Sequence, residues 1–221
     1  MILFLVTDRR RLAGQVPFAE ARRCLVRQAE HAVAAGLDAI IVRERDLEAR
    51  DLTGLTRDIV ALSRGSSTRV LVSDRLDVAL ATGADGVHLR GDSFSASEVR
   101  SMTPTPFLVG RSVHGLSEAL QVIDVDYLIA GTVWPSESKS GLDQLLGLDG
   151  LMALTKAVQV PVLAIGGVTI DRIAAVASAG GAGVAAIGLF MDASPAGCRA
   201  TSLQAIAQAA RTRFDTSGSR S

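Results

Sequence analysis

The chain has 221 residues, 48% of them apolar, and its 23 Lys and Arg are balanced by 23 Asp and Glu. This length and apolar content suit one large domain with a sizeable core, while zero net charge without long runs of one sign argues against a nucleic-acid-binding surface. The sequence has no membrane-spanning stretch, no signal peptide and only two distant cysteines, so we expect a cytoplasmic protein.

Eight short apolar runs alternate with segments of helical spacing. The runs are Ile2–Val6, Ala39–Val42, Val70–Val72, Gly86–Leu89, Phe107–Val109, Tyr127–Ala130, Val162–Ile165 and Val184–Ile187. The helical segments are Phe18–Ala35, Asp51–Arg64, Asp77–Thr82, Ser97–Met102, Ser117–Val122, Gly150–Val158, Asp171–Ala179 and Ser202–Arg213. Unbroken apolar strands are typical of a parallel sheet covered by helices, and eight strand–helix units predict an α/β protein with a single (β/α)8 barrel.

The alternative fold is an open doubly wound sheet. It would need a glycine-rich turn after the first strand, where Thr7-Asp8-Arg9-Arg10 stands instead. We therefore predict a barrel domain over residues 1–215. The polar residues 216–221 are predicted to form a disordered tail.

The last two apolar runs end abruptly in glycine, at Gly166-Gly167 and at Gly188. Glycine lets backbone amides approach a ligand closely, and the ends of strands seven and eight are where such barrels usually bind phosphate. The sequence therefore predicts a small phosphorylated ligand. Other candidate residues should follow the remaining strands, because barrel chemistry collects at their carboxyl ends.

Arg43 and Arg45 follow the second run and lie two residues apart, so they share a face. Two guanidinium groups at a strand end suit pyrophosphate or a carboxylate. The alternative is a pair of solvated charges with Glu44 as their partner.

Carboxylates follow the third and fourth runs. Asp74 comes after Ser73, and Asp92 stands shortly after the next strand. Two carboxylates on adjacent strand ends could share one Mg²⁺ together with substrate phosphate oxygens. Alternatively, Asp74 pairs with Arg75 or caps the short helix that follows.

His114 lies just past the fifth run and shares a face with Ser112. Histidine transfers protons near neutral pH, which suits an acid–base role at the barrel mouth, although a capping or loop-stabilising role is the alternative. His31 falls within a helix and His88 within a strand, so we interpret both as structural.

The segment Gly131–Gly141 is an extended loop after the sixth run. It carries Ser136, Ser138 and Lys139, one of only two lysines in the chain. These groups suit a lid that closes over phosphate, and an ordinary long connection is the alternative.

Taken in order, these pieces resemble the family of thiamine phosphate synthases and TenI-type thiazole tautomerases. The matching stretches are Leu5-Val6-Thr7-Asp8, Val42-Arg43-Glu44-Arg45, Ser73-Asp74-Arg75-Leu76-Asp77-Val78-Ala79-Leu80, Ala84-Asp85-Gly86-Val87-His88-Leu89, Gly110-Arg111-Ser112-Val113-His114, Asp126-Tyr127, Gly131-Thr132-Val133-Trp134-Pro135-Ser136-Glu137-Ser138-Lys139 and Ala164-Ile165-Gly166-Gly167. The resemblance covers about residues 5–189. It implies thiazole phosphate as the substrate, held at Gly166, Gly167 and Gly188, with no nucleic-acid or membrane partner; a homo-oligomer is compatible with it.

The two branches of this family imply different chemistry. The synthase ionises hydroxymethylpyrimidine pyrophosphate with the help of Mg²⁺, and the nitrogen of thiazole phosphate captures the cation. The tautomerase shifts a double bond in thiazole carboxylate phosphate, with a histidine as the acid–base group and no cofactor.

The residues divide between the branches. Arg43, Arg45, Ser136, Ser138 and Lys139 suit either set of anionic groups, with Asp74 and Asp92 as metal ligands only in the synthase. Ile41 and Ser73 stand where synthases carry glutamine and asparagine, and a shortened stretch around Asp92 looks more like the TenI branch. We therefore favour the tautomerase, with His114 and Ser112 in catalysis, over the synthase. A non-catalytic regulator that binds thiazole phosphate is a further alternative.

Overall fold

The computed structural model describes residues 1–136, 145–191 and 203–218. Eight parallel strands close into a barrel in chain order, which confirms the predicted fold. The strands are β1 Ile2–Val6, β2 Ala39–Val42, β3 Arg69–Ser73, β4 Gly86–Leu89, β5 Leu108–Val113, β6 Tyr127–Ala130, β7 Val162–Ala164 and β8 Gly183–Ala186.

Helices on the outside cover the barrel. They are α1 Arg9–Ala13, α2 Phe18–Ala34, α3 Ala49–Ser63, α4 Leu76–Thr82, α5 Ala96–Met102, α6 Leu116–Ala119, α7 Gly147–Ala157, α8 Ile173–Ser178, α9 Gly188–Met191 and α10 Leu203–Gly218, with a 3-10 turn at Ile170–Arg172. Among the described residues, no helix has the length and apolar character needed to cross a membrane.

The strands bury both faces, which is why they read as continuous apolar runs. One core fills the barrel interior and the other lies between the strands and the helices. The interior core consists of Phe4, Val6, Ala39, Ile41, Leu71, Tyr127, Ile129, Leu163 and Ala185. Alternate residues point the other way, so Ile40 and Val42 pack beneath the helices.

The amino ends of the strands are joined by a repeated aspartate contact. Asp38, Asp85 and Asp126 each precede an even-numbered strand, and each accepts the backbone N–H of a residue in the preceding strand, at 2.8, 2.8 and 2.7 Å. The aspartate N–H in turn donates to the carbonyl of that same residue. These reciprocal bonds satisfy backbone groups at the end of the barrel remote from the predicted site.

Strand β5 is the main departure from the predicted elements. It runs from Leu108 to Val113, whereas the apolar pattern predicted an end at Val109. Gly110, Arg111 and Ser112 interrupt the apolar run, yet all three pair with β6. Ser112 therefore lies within a strand and not in the loop after it.

Three short segments also differ from the pattern. The helix at Arg9–Ala13 was not predicted; Asp8 caps it by accepting from the N–H of Arg11 at 3.0 Å. The four-residue helix α9 after β8 was not predicted either. Helix α10 continues to Gly218, beyond the expected domain end at residue 215, and residues 219–221 lie outside the described part. The division at residue 215 stays a prediction.

We expect Gly183→Ala to destabilise the seam that closes the barrel. A Cβ at Gly183 would stand 1.9 Å from the backbone oxygen of Ile2 in β1, and a backbone atom there cannot move without disturbing the β1–β8 pairing. Urea denaturation should show a loss of about 2–3 kcal/mol. Gly54→Ala, inside α3 with only the flexible end of Arg22 nearby, should instead stabilise by about 0.5–1 kcal/mol. A Gly183→Ala variant as stable as the wild type would contradict this prediction.

Candidate active site

A cavity of about 1020 Å³ opens at the carboxyl ends of the strands. Its lining includes most of the residues that the sequence predicted for the site. They are Arg43, Arg45, Ser73, Asp92, Ser112, His114, Ser136, Gly166, Gly167 and Gly188. Asp74 lies beside this cavity without lining it. Ser138 and Lys139 lie outside the described residues.

The floor of the cavity contains a buried polar network centred on His88. The Nδ1 of His88 lies 3.1 Å from the hydroxyl of Tyr127, and its Nε2 lies 2.9 Å from the Oγ of Ser112. Gly110 makes the first contact feasible, because a Cβ there would stand 2.0 Å from the Tyr127 ring. The ring of Tyr127 also packs edge-on against Phe4, with centroids 5.1 Å apart. His88, which the sequence analysis interpreted as structural, thus holds a polar group that faces the cavity.

Burial keeps this network neutral. Desolvation lowers the pKa of His88 to about 3, so the imidazole is uncharged at physiological pH. Burial, and to a smaller extent the charge of Asp126, raises the pKa of Tyr127 well above its usual value. A neutral imidazole has one donor and one acceptor nitrogen, and both are used here. Ser112 is therefore oriented by a fixed, uncharged partner.

Arginines border the cavity where β2 ends. Neither Arg43 nor Arg45 has an ion-pair partner within the described part of the chain, and the backbone N–H of Arg43 donates to Thr7 Oγ1 at 2.9 Å. Desolvation, followed by the charges of Arg43 and Arg90, lowers the pKa of Arg45. Mutually repelling cations beside a cavity are stabilised by a bound anion.

Glu44 does not neutralise these two arginines. Its side chain is buried and binds Arg9, through the Arg9 backbone N–H at 3.1 Å and Nη1 at 2.9 Å. Arg9 also pairs with Asp46. The alternative in which Glu44 is the partner of Arg43 and Arg45 is therefore wrong, because Glu44 points to the opposite side of the strand end.

The two candidate metal ligands are both bound to Arg90. The Nε of Arg90 lies 2.9 Å from Asp74 Oδ2 and 2.9 Å from Asp92 Oδ1, while its Nη2 lies 2.6 Å from Asp92 Oδ2. The remaining oxygen, Asp74 Oδ1, accepts the backbone N–H of Arg90 at 2.9 Å. Among the described residues no cluster of three or more His, Cys, Asp or Glu could hold a metal. A divalent cation could bind the two carboxylates only by displacing the guanidinium of Arg90.

His114 stands at the cavity mouth with its side chain 53% exposed. Glu118 accepts the backbone N–H of His114 at 2.7 Å, and the same oxygen lies 3.4 Å from His114 Nδ1. Both residues line the cavity. The carboxylate is therefore bonded to the backbone of His114 and lies close to its imidazole.

The glycines after β7 serve packing as well as ligand access. Gly166 and Gly167 have positive φ angles of 96° and 60°. A Cβ on Gly166 would stand 2.3 Å from Thr132, and one on Gly167 would stand 2.5 Å from the carbonyl oxygen of Pro135. The backbone N–H of Trp134 also donates to the Gly166 carbonyl at 3.2 Å. Residues 132–135, which follow β6, are therefore packed directly against the glycine end of β7.

Sequence reasoning gave no functional role to four residues of this site: His88, Arg90, Glu118 and Tyr127. A histidine inside a strand that is otherwise apolar was a usable signal, because a buried polar side chain needs partners. The position of Arg90 directly after β4 was a second usable signal, because functional residues of such barrels follow the strands. The role of Glu118 depends on how the chain turns after β5, which no sequence pattern indicated.

We expect His88 to make the protein less stable in acid. Its pKa is about 3 when folded and about 6.5 when unfolded, so below pH 6.5 only the unfolded chain takes up the proton. Urea denaturation at pH 7 and pH 5 should show a loss of about 1–2 kcal/mol from this group. His88→Gln should lose most of that dependence, while His114→Gln should keep it. Equal pH dependence in all three proteins would contradict a neutral buried His88.

Comparisons with known proteins identify the family. The sequence profile described as "Thiamine monophosphate synthase" matches residues 3–190. The chain is 37% identical over 196 residues to a putative thiamine-phosphate synthase of Geobacter sulfurreducens, covering 87% of this chain and 88% of that protein. It is 39% identical over 161 residues to a thiamine-phosphate synthase of Methanoregula boonei, covering 72% and 74%.

A solved structure agrees with these sequence matches. The thiamine phosphate pyrophosphorylase from Pyrococcus furiosus superposes with a TM-score of 0.79 at 29% identity, covering 98% of this chain and 96% of that one. The family profile alone spans well over half of the chain. The protein belongs to the thiamine monophosphate synthase family.

Proposed function

We propose that this protein joins two phosphorylated substrates to form thiamine phosphate, which the sequence analysis held as the alternative to its preferred tautomerase. The relatives at 37% and 39% identity are named for that synthase, and this favours it over the tautomerase. The observation that carries the proposal is a single cavity bordered by two separate anion-binding groups. One is the glycine ends of β7 and β8, and the other is the arginines after β2 and β4.

The positions of these groups suit two anions held apart. In a closed barrel of eight strands, β3 lies opposite β7, so the arginines beside β3 face the glycine end of β7 across the cavity. A volume of about 1020 Å³ reaches the upper limit usual for one drug-sized ligand. Two small substrates side by side are consistent with that space.

The arginine group suits the leaving group of the reaction. In the proposed step the carbon–oxygen bond of the pyrimidine pyrophosphate breaks, and its electron pair leaves with pyrophosphate. Arg43 and Arg45 would hold the negative charge that develops there, since neither forms an ion pair with another residue of the described chain. Thiazole phosphate would lie at the glycines, with its ring nitrogen forming the new carbon–nitrogen bond.

The space between the two anion-binding groups is lined by apolar and neutral side chains. Ile41, Ile129 and Ile165 form much of this wall. A carbocation formed here would otherwise be captured by water, so a dry wall favours capture by the thiazole nitrogen. The Ser112 hydroxyl, fixed by His88, is the polar group placed to bind a ring nitrogen or amine of the pyrimidine.

We expect variants on the two sides to separate the two substrates. Arg43→Gln or Arg45→Gln should raise the KM for the pyrimidine pyrophosphate about tenfold or more, with little change for thiazole phosphate. Gly188→Asp should do the reverse, because it adds a negative side chain where phosphate is expected. Initial rates of thiamine phosphate formation, with each substrate varied in turn, measure both effects.

Arg57→Gln, on an exposed position of α3, is the control that should leave both KM values unchanged. A wild-type protein that forms no thiamine phosphate would rule out the synthase. Calorimetric binding of thiazole phosphate without any turnover would favour the regulator instead.

The tautomerase is the second candidate, favoured by two specific observations. Ile41 is buried in the cavity wall, where it offers no hydrogen bond to a pyrimidine. His114 lies at the cavity mouth with Glu118 3.4 Å from its Nδ1, a position that suits a proton-transfer group. In this function Arg43 and Arg45 would bind the substrate carboxylate.

If the protein is a tautomerase, His114→Asn should lower turnover of thiazole carboxylate phosphate by about 10²–10⁴-fold. Binding of thiazole phosphate, measured by calorimetry, should change little. Asn keeps a donor group of similar size, so the loop should hold its fold. Turnover of this substrate at the wild-type rate would show that His114 only stabilises the loop.

A further inference from the structure

We infer that the guanidinium of Arg90 takes the place of a divalent cation between Asp74 and Asp92, so that the cavity binds its anionic substrate without metal. The inference rests on the proposed function only in taking a pyrophosphate group as that anion. Its evidence is the contact pattern around Arg90.

All four carboxylate oxygens of Asp74 and Asp92 are in contact with Arg90. Both oxygens of Asp92 accept from the guanidinium and Asp74 Oδ1 accepts the backbone N–H, while Asp74 Oδ2 lies 2.9 Å from Nε in an ion pair. A cation with carboxylate ligands would have to displace these charge-assisted bonds, which are among the strongest hydrogen bonds in proteins. Arg90 therefore competes permanently with any metal cation for the carboxylates of Asp74 and Asp92.

The surrounding backbone holds Asp74 in this position. Asp74 adopts a positive φ of 59°, which is unusual for a residue other than glycine. The backbone N–H of Asp74 donates to the carbonyl of His88 at 3.0 Å, and its Oδ1 accepts the Arg90 N–H. Asp74 is thus bound to the end of β4 at both its backbone and its side chain, which aims the other oxygen at the guanidinium.

A second arginine positions Asp92. Arg111 in β5 donates from its guanidinium to the carbonyls of Gly91, Ser93 and Phe94, at 2.8, 3.1 and 2.9 Å. These bonds hold the loop on both sides of Asp92. The bidentate pair between Asp92 and Arg90 is therefore supported by the loop, although both side chains reach solvent.

The charges and donors of the group suit an anion. Arg45 interacts electrostatically with Arg43, Arg90, Asp74 and Asp92, and these five groups together carry one net positive charge. Arg90 uses Nε and Nη2 for the carboxylates. Its Nη1 is left to donate to a ligand oxygen, and Arg90 lines the cavity. A fixed guanidinium can bind phosphate oxygens in the way that a bound cation would.

Manganese binding tests the exclusion of metal directly. The electron paramagnetic resonance signal of free Mn²⁺ should be unchanged by the wild-type protein. Arg90→Gln should bind Mn²⁺ at least about tenfold more tightly, because the carboxylates are then unpaired. Asp92→Asn in the Arg90→Gln background should remove that binding. Arg69→Gln, which breaks an Arg–Asp pair at the opposite end of the barrel, is the matched control and should behave like the wild type.

Pyrophosphate binding tests the positive role. Calorimetry should show that the wild type binds inorganic pyrophosphate equally well in EDTA and in MgCl₂. Arg90→Gln should lose about tenfold or more in EDTA and regain affinity in MgCl₂. The inference is overturned if wild-type binding of pyrophosphate requires Mg²⁺, or if Arg90→Gln gains no affinity for Mn²⁺. Neither measurement uses turnover, so a failure of the proposed synthase activity would leave these results separate.

Discussion

The closure of eight parallel strands is the constraint on which the rest of this structure depends. Closure brings all the carboxyl strand ends to one face and makes alternate side chains point into a narrow interior. Apolar residues such as Leu71 and Leu163 fill that interior lower down. Toward the carboxyl ends, the inward positions become polar. The site is thus formed by the inward-pointing side chains nearest the carboxyl ends of the strands, and strand register determines their positions.

Register also explains why the floor of the site is rigid. Ser73 pairs with His88, His88 with Gly110, and Gly110 with Tyr127 across the four neighbouring strands β3 to β6. Because Gly110 has no side chain, Tyr127 reaches over it to His88. A buried imidazole with both nitrogens bonded cannot turn without losing a hydrogen bond, which costs about 1–3 kcal/mol. The floor is therefore fixed and uncharged, and the charges are left to the rim.

The fold could be predicted from the sequence because burial on both faces leaves a simple signal. Six of the strands contain a continuous apolar run, while His88 interrupts the run of β4 and only the start of β5 is apolar. That strand was cut short because Gly110 and Ser112 serve the site instead of the core. The polar and glycine residues within this strand were themselves a signal of function. Inward polar residues occur in a barrel strand mainly where they contact a ligand or a hydrogen-bond network.

The candidate site was predictable in its residues but not in its pairings. Glycine ends and arginines after strands indicated anion binding, and these residues do line one cavity. The partner of each charge depends on side-chain direction after the strand ends, where two-residue alternation no longer holds. Glu44 turns to Arg9, while Asp74 and Asp92 turn to Arg90. Spacing alone could not distinguish two metal ligands from two partners of one guanidinium.

The glycines at the end of β7 allow close packing of neighbouring residues and also suit the binding of an anion. Because Gly166 and Gly167 have no side chain, residues 132–135 after β6 lie closer to them than any side chain would permit. Arg172 strengthens the same junction by donating to the Gly167 carbonyl and stacking over Trp134, 5.2 Å from the ring centroid. An anion at this strand end would lie beside residues 132–135 and 166–172, which already pack together. Binding there would need little rearrangement, which lowers the entropic cost of holding a phosphate group.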